Sequence, residues 1–340
     1  MPRSGERAYV YAKACGIIGK SFIGTRMSRL NSVTRLSELD RLIFASAARD
    51  LPERELLADL ERRVIDRSVK QIITLVDSFS SPPELLERLI RSYEYGDMKS
   101  ALNAITAGEN KVPVFTDLGR FGTVKFAAYP DLPAMIRGTE FESPLKDWTP
   151  VNSGDEGIMV QIKLDGLYYG ALWKSLFAVP KRDRLSIERI VTEEIALRNA
   201  VWALRLRTYY GMSVERTRER LVCLDPGGGK GSLADDAITS LSMALDNYAD
   251  WASWKRAGFL NPPQPGESWT ADPRYFQNAA SEHLYRLARL SFRRRPFSID
   301  TTSCFIKLKQ FEEDILTSVA EGLGLGMSAG DVFALLEVAP

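Results

Sequence analysis

Two stretches of this chain share one layout, and that repetition constrains the fold more than any other feature. Glu193 to Leu221 reads EEIALRNAVWALRLRTYYGMSVERTRERL, and Glu312 to Leu336 reads EEDILTSVAEGLGLGMSAGDVFALL. In each, two adjacent acids open a helical stretch, a small polar residue (Asn199, Ser318) stands six positions after the first acid, and Gly-Met-Ser closes it. The physical reading is helix, stop, restart. Gly211 and Gly326 are suited to the left-handed conformation that ends a helix, and Ser213 and Ser328 to accepting hydrogen bonds from the first free amides of the next one. Leu197, Ala200, Val201 and Leu204 fall at helical spacing, with Arg198 and Arg205 on the other side. One face is therefore expected to be buried and the other to present cations. The acid-to-glycine spacings differ by four residues between the copies, close to one turn, which leaves the buried face nearly unmoved. A fainter third version places Asn103 six residues after Asp97, ahead of Ala104 and Ile105.

With 340 residues the chain can bury a large core and divides naturally into two or three domains. Hydrophobic residues make up 45% and the formal net charge is +1, which argues against bulk disorder and against a strong nucleic-acid field. Cys15, Cys223 and Cys304 lack CxxC spacing, so reduced thiols in a cytosolic compartment are expected rather than a zinc cluster. No run approaches the roughly 18 apolar residues of a membrane span, and MPRSGERAYVYAK lacks a secretory core. A soluble, cytosolic chain is expected.

In chain order, Tyr9, Ala12, Ile17, Ile18 and Phe22 predict a helix within Glu6 to Leu30, weakened by Gly16, Gly19 and Gly24. Beyond Asp50 and Pro52, Leu57, Leu60, Val64, Ile65, Val69, Ile72 and Val76 predict a long amphipathic helix. Ser81-Pro82-Pro83-Glu84 reads as a capping box that starts a further helix running through Asp97 toward Ala107. The prolines between Gly108 and Gly154 predict irregular structure with short helices. Met159, Ile162, Tyr169, Trp173 and Leu176 mark a helix expected to pack on the organising one. Helical segments are expected from Leu233 to Ala257, followed by a proline-rich linker. Asp272-Pro273 opens a helix with the stripe Phe276, Ala280, His283, Leu287 and Leu290, ending in Arg293-Arg294-Arg295-Pro296. Strand signals of any length are absent, so the expected class is all-α. The division read from these signals is a first lobe over 1–120, an irregular connector over 121–154, a second lobe over 155–258 and a third over 259–340.

A search for reaction chemistry returns little. Gly227-Gly228-Gly229-Lys230-Gly231-Ser232 has Leu224 where a phosphate loop needs glycine, and Gly231 where it needs a hydroxyl, so it reads as a flexible loop. Asp235-Asp236 is the pair suited to magnesium, but Thr239 stands where a third acid would complete the motif. His283 lies on an apolar stripe and reads as a core or interhelical histidine. Trp251 and Trp254, near Tyr248, read as core rather than as an exposed anchor. Arg293 to Arg295 read as partners of the helix dipole and of solvent, with anionic lipid or an acidic partner as the alternatives. Neither catalytic residues, a metal nor a cofactor is expected.

Tyr9-x-Tyr11-Ala12, Arg91-Ser-Tyr-Glu-Tyr-Gly-Asp97 with Asn103-Ala104-Ile105, Arg205-Leu-Arg-Thr-Tyr-Tyr-Gly-Met212, and Pro296-Phe297 ahead of the closing helix occur in this order along the chain. In that order and spacing the sequence resembles the C/d family of V-type and A-type rotary ATPase stalk proteins, in which the eukaryotic members carry the letter d. The resemblance implies three related helical-bundle lobes forming a shallow funnel or socket. It implies a non-catalytic central-stalk component, peripheral on the cytoplasmic face of the membrane. Its partners would be the central shaft subunits of the ATPase and the membrane rotor ring of small hydrophobic subunits, with membrane contact only through that ring and no nucleic acid. Arg198, Arg205 and Arg207 are the candidate partner-binding residues. The sequence departs from the family in its proline-rich 108–154 stretch, its glycine loop, and Asp314 to Ser318, where an Asn and an Arg are expected. Two other readings compete with this one: a helical-repeat adaptor gripping a partner helix in its concave face, and an all-α enzyme using Asp235 and Asp236.

Overall fold

A computed structural model of the chain describes residues 4–45, 49–109, 111–150, 154–225 and 231–336, and among them it is all-helical. In chain order the helices are α1 (Ser4–Ile18), α2 (Leu36–Phe44), α3 (Glu53–Val76), α4 (Glu84–Ile90), α5 (Ser92–Thr106), α6 (Leu132–Ile136) and α7 (Glu142–Leu145). They continue with α8 (Gly154–Phe177), α9 (Lys181–Tyr210), α10 (Val214–Arg218), α11 (Asp235–Ser240), α12 (Pro273–Phe292), α13 (Ile299–Gly324) and α14 (Ala329–Leu336). The chain forms two compact units, one of Met1–Ser80 with Arg182–Pro340 and the other of Ser81–Lys181. Among the described residues no helix is long and apolar enough to cross a membrane.

In the first unit α13 is the central element, packed by α1, α3, α12 and α14. Its Phe305, Ile306, Leu308, Ile315, Leu316, Val319 and Ala320 are buried, and the facing stripe of α3 is Leu56, Leu60, Val64, Val69, Ile72 and Leu75. The helix–stop–restart reading holds at both copies. Gly211 and Gly326 have φ of 56° and 80°. Ser213 Oγ accepts from the Arg216 N–H at 3.3 Å, and Ser328 Oγ from the Asp331 N–H at 3.1 Å. The adjacent acids, however, do not open their helices. α9 begins at Lys181 and α13 at Ile299, so Glu193 and Glu312 lie mid-helix. Nor does α9 have a single buried face: from Ile195 to Leu206 it is enclosed nearly all round, leaving Arg198 and Arg205 half-buried.

In the second unit α8, the helix read from Met159 to Leu176, packs on α4 and α5. The expected single helix to Ala107 is broken at Arg91 into α4 and α5. The expected capping box does not form, because Pro83 is itself the N-cap, extended at ψ 144°. A residue preceding proline is driven out of the helical region, so Pro82 cannot begin the helix and Ser81 stands too far from its free amides. The irregular stretch after Gly108 is gathered onto α5 by two acids. Buried Glu94 accepts from the Thr123 N–H, from the Val124 N–H at 2.7 Å and from Thr123 Oγ1 at 3.0 Å. Asp97 accepts from the Thr116 N–H at 2.7 Å.

Burial pushes the Asp97 carboxyl up to about 6 against the hydrogen bonds from Thr116 that favour its charge. A raised carboxyl contributes stability below its unfolded value, and that contribution is lost as pH rises toward 6. Asp97→Asn keeps a carbonyl for Thr116 and removes the charge. It should match the parent near pH 4 and exceed it by about 1–2 kcal/mol at pH 7 in urea unfolding. A constant difference across that range would show that Asp97 is not the titrating group.

The stretch from Leu233 to Ala257 is less helical than its sequence predicts, with α11 and short 3-10 turns over Tyr248–Trp251 and Ala257–Phe259. Indole N–H groups donate to main-chain carbonyls there, Trp251 to Ala244 and Trp254 to Asp236, each at 2.7 Å. These bonds, with both rings buried, hold a folded-back chain in place of a continuous helix.

Candidate functional site

The three arginines read from the sequence divide into two environments. Arg207 donates through Nη1 to Ser240 O at 3.0 Å and through Nη2 to Met243 O at 2.8 Å, holding the end of α11 onto α9. Arg205 instead reaches α12, donating to Gln277 Oε1 at 2.6 Å, and Arg198 stands close enough to act on it electrostatically. Burial lowers the Arg205 guanidinium from its ordinary value and the like charge of Arg198 lowers it further, though it stays cationic at neutral pH. Beyond them, at the end of α9, Tyr209 and Tyr210 are 50% and 47% exposed.

Gln277 also lines a polar cleft of about 290 Å³ between α12, α13 and α14. Asn278 and Ser281 of α12 and Asp314, Thr317, Ser318 and Glu321 of α13 complete its polar wall. The Asn278 amide is fixed by donating to Leu335 O at 2.7 Å. Burial raises Glu61 of α3, and the negative charge of Glu321 raises it further. The cleft thus has acids along α13 and a guanidinium at its α12 edge.

The two copies of the layout differ at this place. Asn199 in the first copy is buried and grips the main chain of Val222: it accepts from the Val222 N–H at 2.8 Å and donates to Val222 O at 3.0 Å. Ser318 holds the same position of the layout in the second copy and faces the cleft. One copy is filled by its own chain, while the other faces an open cleft.

The alternative chemistry finds its residues committed elsewhere. Asp236 Oδ2 pairs with Arg256 Nε at 2.8 Å and Lys255 Nζ at 3.2 Å, and Asp235 accepts from the Ser232 N–H at 2.8 Å. His283 is half-buried with Nε2 3.9 Å from Glu193 Oε2 and its ring edge-on to Phe259, an interhelical position. Burial lowers it below the ordinary histidine value. Among the described residues no group of three or more His, Cys, Asp or Glu side chains is placed to hold a metal ion. Residues 227–230 of the glycine loop lie outside the described residues. Sequence reasoning missed Tyr209, Tyr210, Gln277 and Glu321. The signal for the tyrosines was available, since both lie off the apolar stripe directly before the Gly211 stop; the cleft residues meet only through tertiary packing.

Tyrosine and arginine beside a polar cleft is the composition of a protein-docking surface, with rigid aromatic area and directional cations. The chain is 29% identical over 325 residues to an uncharacterized protein of Treponema pallidum (strain Nichols), covering 94% of this chain and 92% of that one. A family model described as ATP synthase (C/AC39) subunit matches residues 45–332. The chain belongs to this family, the C/d subunits of V/A-type rotary ATPases.

Proposed function

We propose that the chain is a non-catalytic central-stalk coupling subunit, receiving the end of the rotating shaft and seating on the membrane rotor ring. The observation that carries this reading is the docking surface: exposed Tyr209 and Tyr210 with Arg198, Arg205 and the α12–α13 cleft, on a chain whose acid pair and histidine are committed to internal contacts. A coupling part needs stiff helices and a polar contact that can be made and released, and charge on both sides of a contact sets its register and speed of encounter. The three-lobed socket of the sequence reading belongs to the same proposal, supported by the shared glycine–serine corners at Gly211 and Gly326.

The test is binding of the purified chain to isolated shaft subunits. Arg198→Glu with Arg205→Glu should weaken it by about 10–100-fold, at some cost in stability from the lost Arg205–Gln277 bond, and Tyr209→Ala with Tyr210→Ala should weaken it as much with thermal unfolding unchanged. Arg207→Glu should behave differently, lowering the melting temperature by uncapping the Ser240 and Met243 carbonyls. Full-strength shaft binding by both double variants would remove this surface from the interface.

A further inference from the structure

We propose that the surface at the end of α12, with Arg182, Arg289, Arg293, Arg294 and Arg295 around Phe297, binds the anionic headgroups of a phospholipid bilayer directly. This goes beyond the coupling role and uses none of the docking residues. The residues from Arg293 to Phe297 are all exposed, as are Arg289 and Leu290 in the last turn of the helix. Arg295 Nη1 donates to Arg182 O at 2.7 Å, which brings the start of α9, with its exposed Arg182, to the same place.

Among the described residues none of the five arginines is in an ion pair. The acids beside them are largely engaged: Asp183 pairs with Arg7 at 3.1 Å, and buried Asp300, on which the charge of Arg295 also acts, accepts from the Ser186 and Ile187 N–H groups at 2.9–3.1 Å. In a chain of net charge +1 this is a local excess. Helix-dipole compensation accounts for a cation within the last turn, such as Arg289, but not for three successive arginines beyond it.

Phe297 supplies the second, independent observation. Its φ is 65°, a left-handed conformation that is costly for a residue with a bulky side chain. Its ring packs edge-on to Tyr11 at 5.3 Å, yet Phe297 is 49% exposed. Strain here holds an aromatic ring half-exposed directly after Arg293–Arg295 in the chain, with Leu290, 59% exposed, in the last turn of α12. An acidic polypeptide would answer the arginines alone; cations interleaved with aromatic and aliphatic side chains suit the headgroup–acyl boundary of a bilayer, where both are satisfied together.

The experiment is flotation of the full chain with vesicles of phosphatidylcholine, alone or with about a third phosphatidylglycerol. Capture on the anionic vesicles should be at least about tenfold greater and should fall with added salt. Arg293→Glu with Arg294→Glu should reduce it about tenfold or more. Phe297→Gly, which suits the backbone at this position, should reduce it several-fold with circular dichroism unchanged. Equal capture by neutral vesicles, no capture by anionic ones, or undiminished capture of the double reversal would each overturn the proposal. Retention on immobilised polyglutamate without vesicle capture would overturn it in favour of an acidic protein partner. Shaft subunits are absent from the assay, so its failure leaves the coupling role standing, and failure of shaft binding leaves this surface standing.

Discussion

Glu312→Ala should destabilise the first unit by about 3–5 kcal/mol, the cost of leaving a buried cation without its partner. Glu312 and Lys309 are each 1% exposed on α13, and Lys309 Nζ donates to the Glu312 carboxylate. The carboxylate also accepts from the Phe22 N–H at 2.7 Å and lies 3.5 Å from Arg67 Nη2. Burial alone would raise Glu312, but Lys309, the Phe22 amide and Arg67 outweigh it and hold the carboxyl below the usual range. Its contribution is therefore present above the unfolded glutamate value of about 4.3 and lost as pH falls below it. The alanine variant strands Lys309, which burial already disfavours as a cation, and orphans the Phe22 amide. A unit of this size should lose on the order of 10 °C in melting temperature. Lys309→Met combined with Glu312→Leu removes both charges and should be more stable than Glu312→Ala, because no uncompensated ion is left. If the double variant is instead no more stable than Glu312→Ala, the stranded Lys309 cation is not what costs the stability.

That pair also marks where the sequence stops being readable. Two adjacent acids ordinarily sit in a helix's first turn, so Glu193-Glu194 and Glu312-Glu313 read as helix openings. Both lie mid-helix, where contacts remote in sequence help to hold them: Arg256 Nη1 lies 2.5 Å from Glu193, Lys307 Nζ 2.7 Å from Glu194, and the Phe22 amide 2.7 Å from Glu312. What depends on local backbone chemistry was legible. The Gly211 and Gly326 stops, the Ser213 and Ser328 restarts and the Asp272-Pro273 opening of α12 all form, Asp272 accepting from the Arg274 N–H at 2.8 Å. The all-α class follows from the same periodicities. The candidate docking surface was legible only in part. Arg205 was found from the face it shares with Arg198, whereas Gln277, Asn278 and Glu321 reach the cleft through the packing of α12, α13 and α14, which periodicity does not specify. Arg207 shows the limit of face counting: a cation off the apolar stripe has turned inward to two carbonyls.

Trp251→Ala should cost about 3–5 kcal/mol, an effect concentrated in the segment that follows α11. Trp251 is fully buried, its ring edge-on to Trp254 at 5.2 Å and to Trp269 at 6.4 Å, while Trp254 stacks on Phe276 of α12 at 5.6 Å. With few helical bonds of its own, this segment depends on the ring cluster and on the indole donors for its shape. Trp251→Phe separates the two contributions: it keeps an aromatic ring but orphans Ala244 O, and should cost about 1–2 kcal/mol. The segment supplies the Ser240 and Met243 carbonyls that hold Arg207, and its Arg256 bridges Glu193 and Asp236, so its loosening should reach α9. Hydrogen exchange should therefore accelerate across 235–271 and the middle of α9 in Trp251→Ala, while α3 and the core of α13 keep their protection. Uniform acceleration through all helices of the unit would mean that the cluster is part of the global core, and that α9 is not held from this side alone.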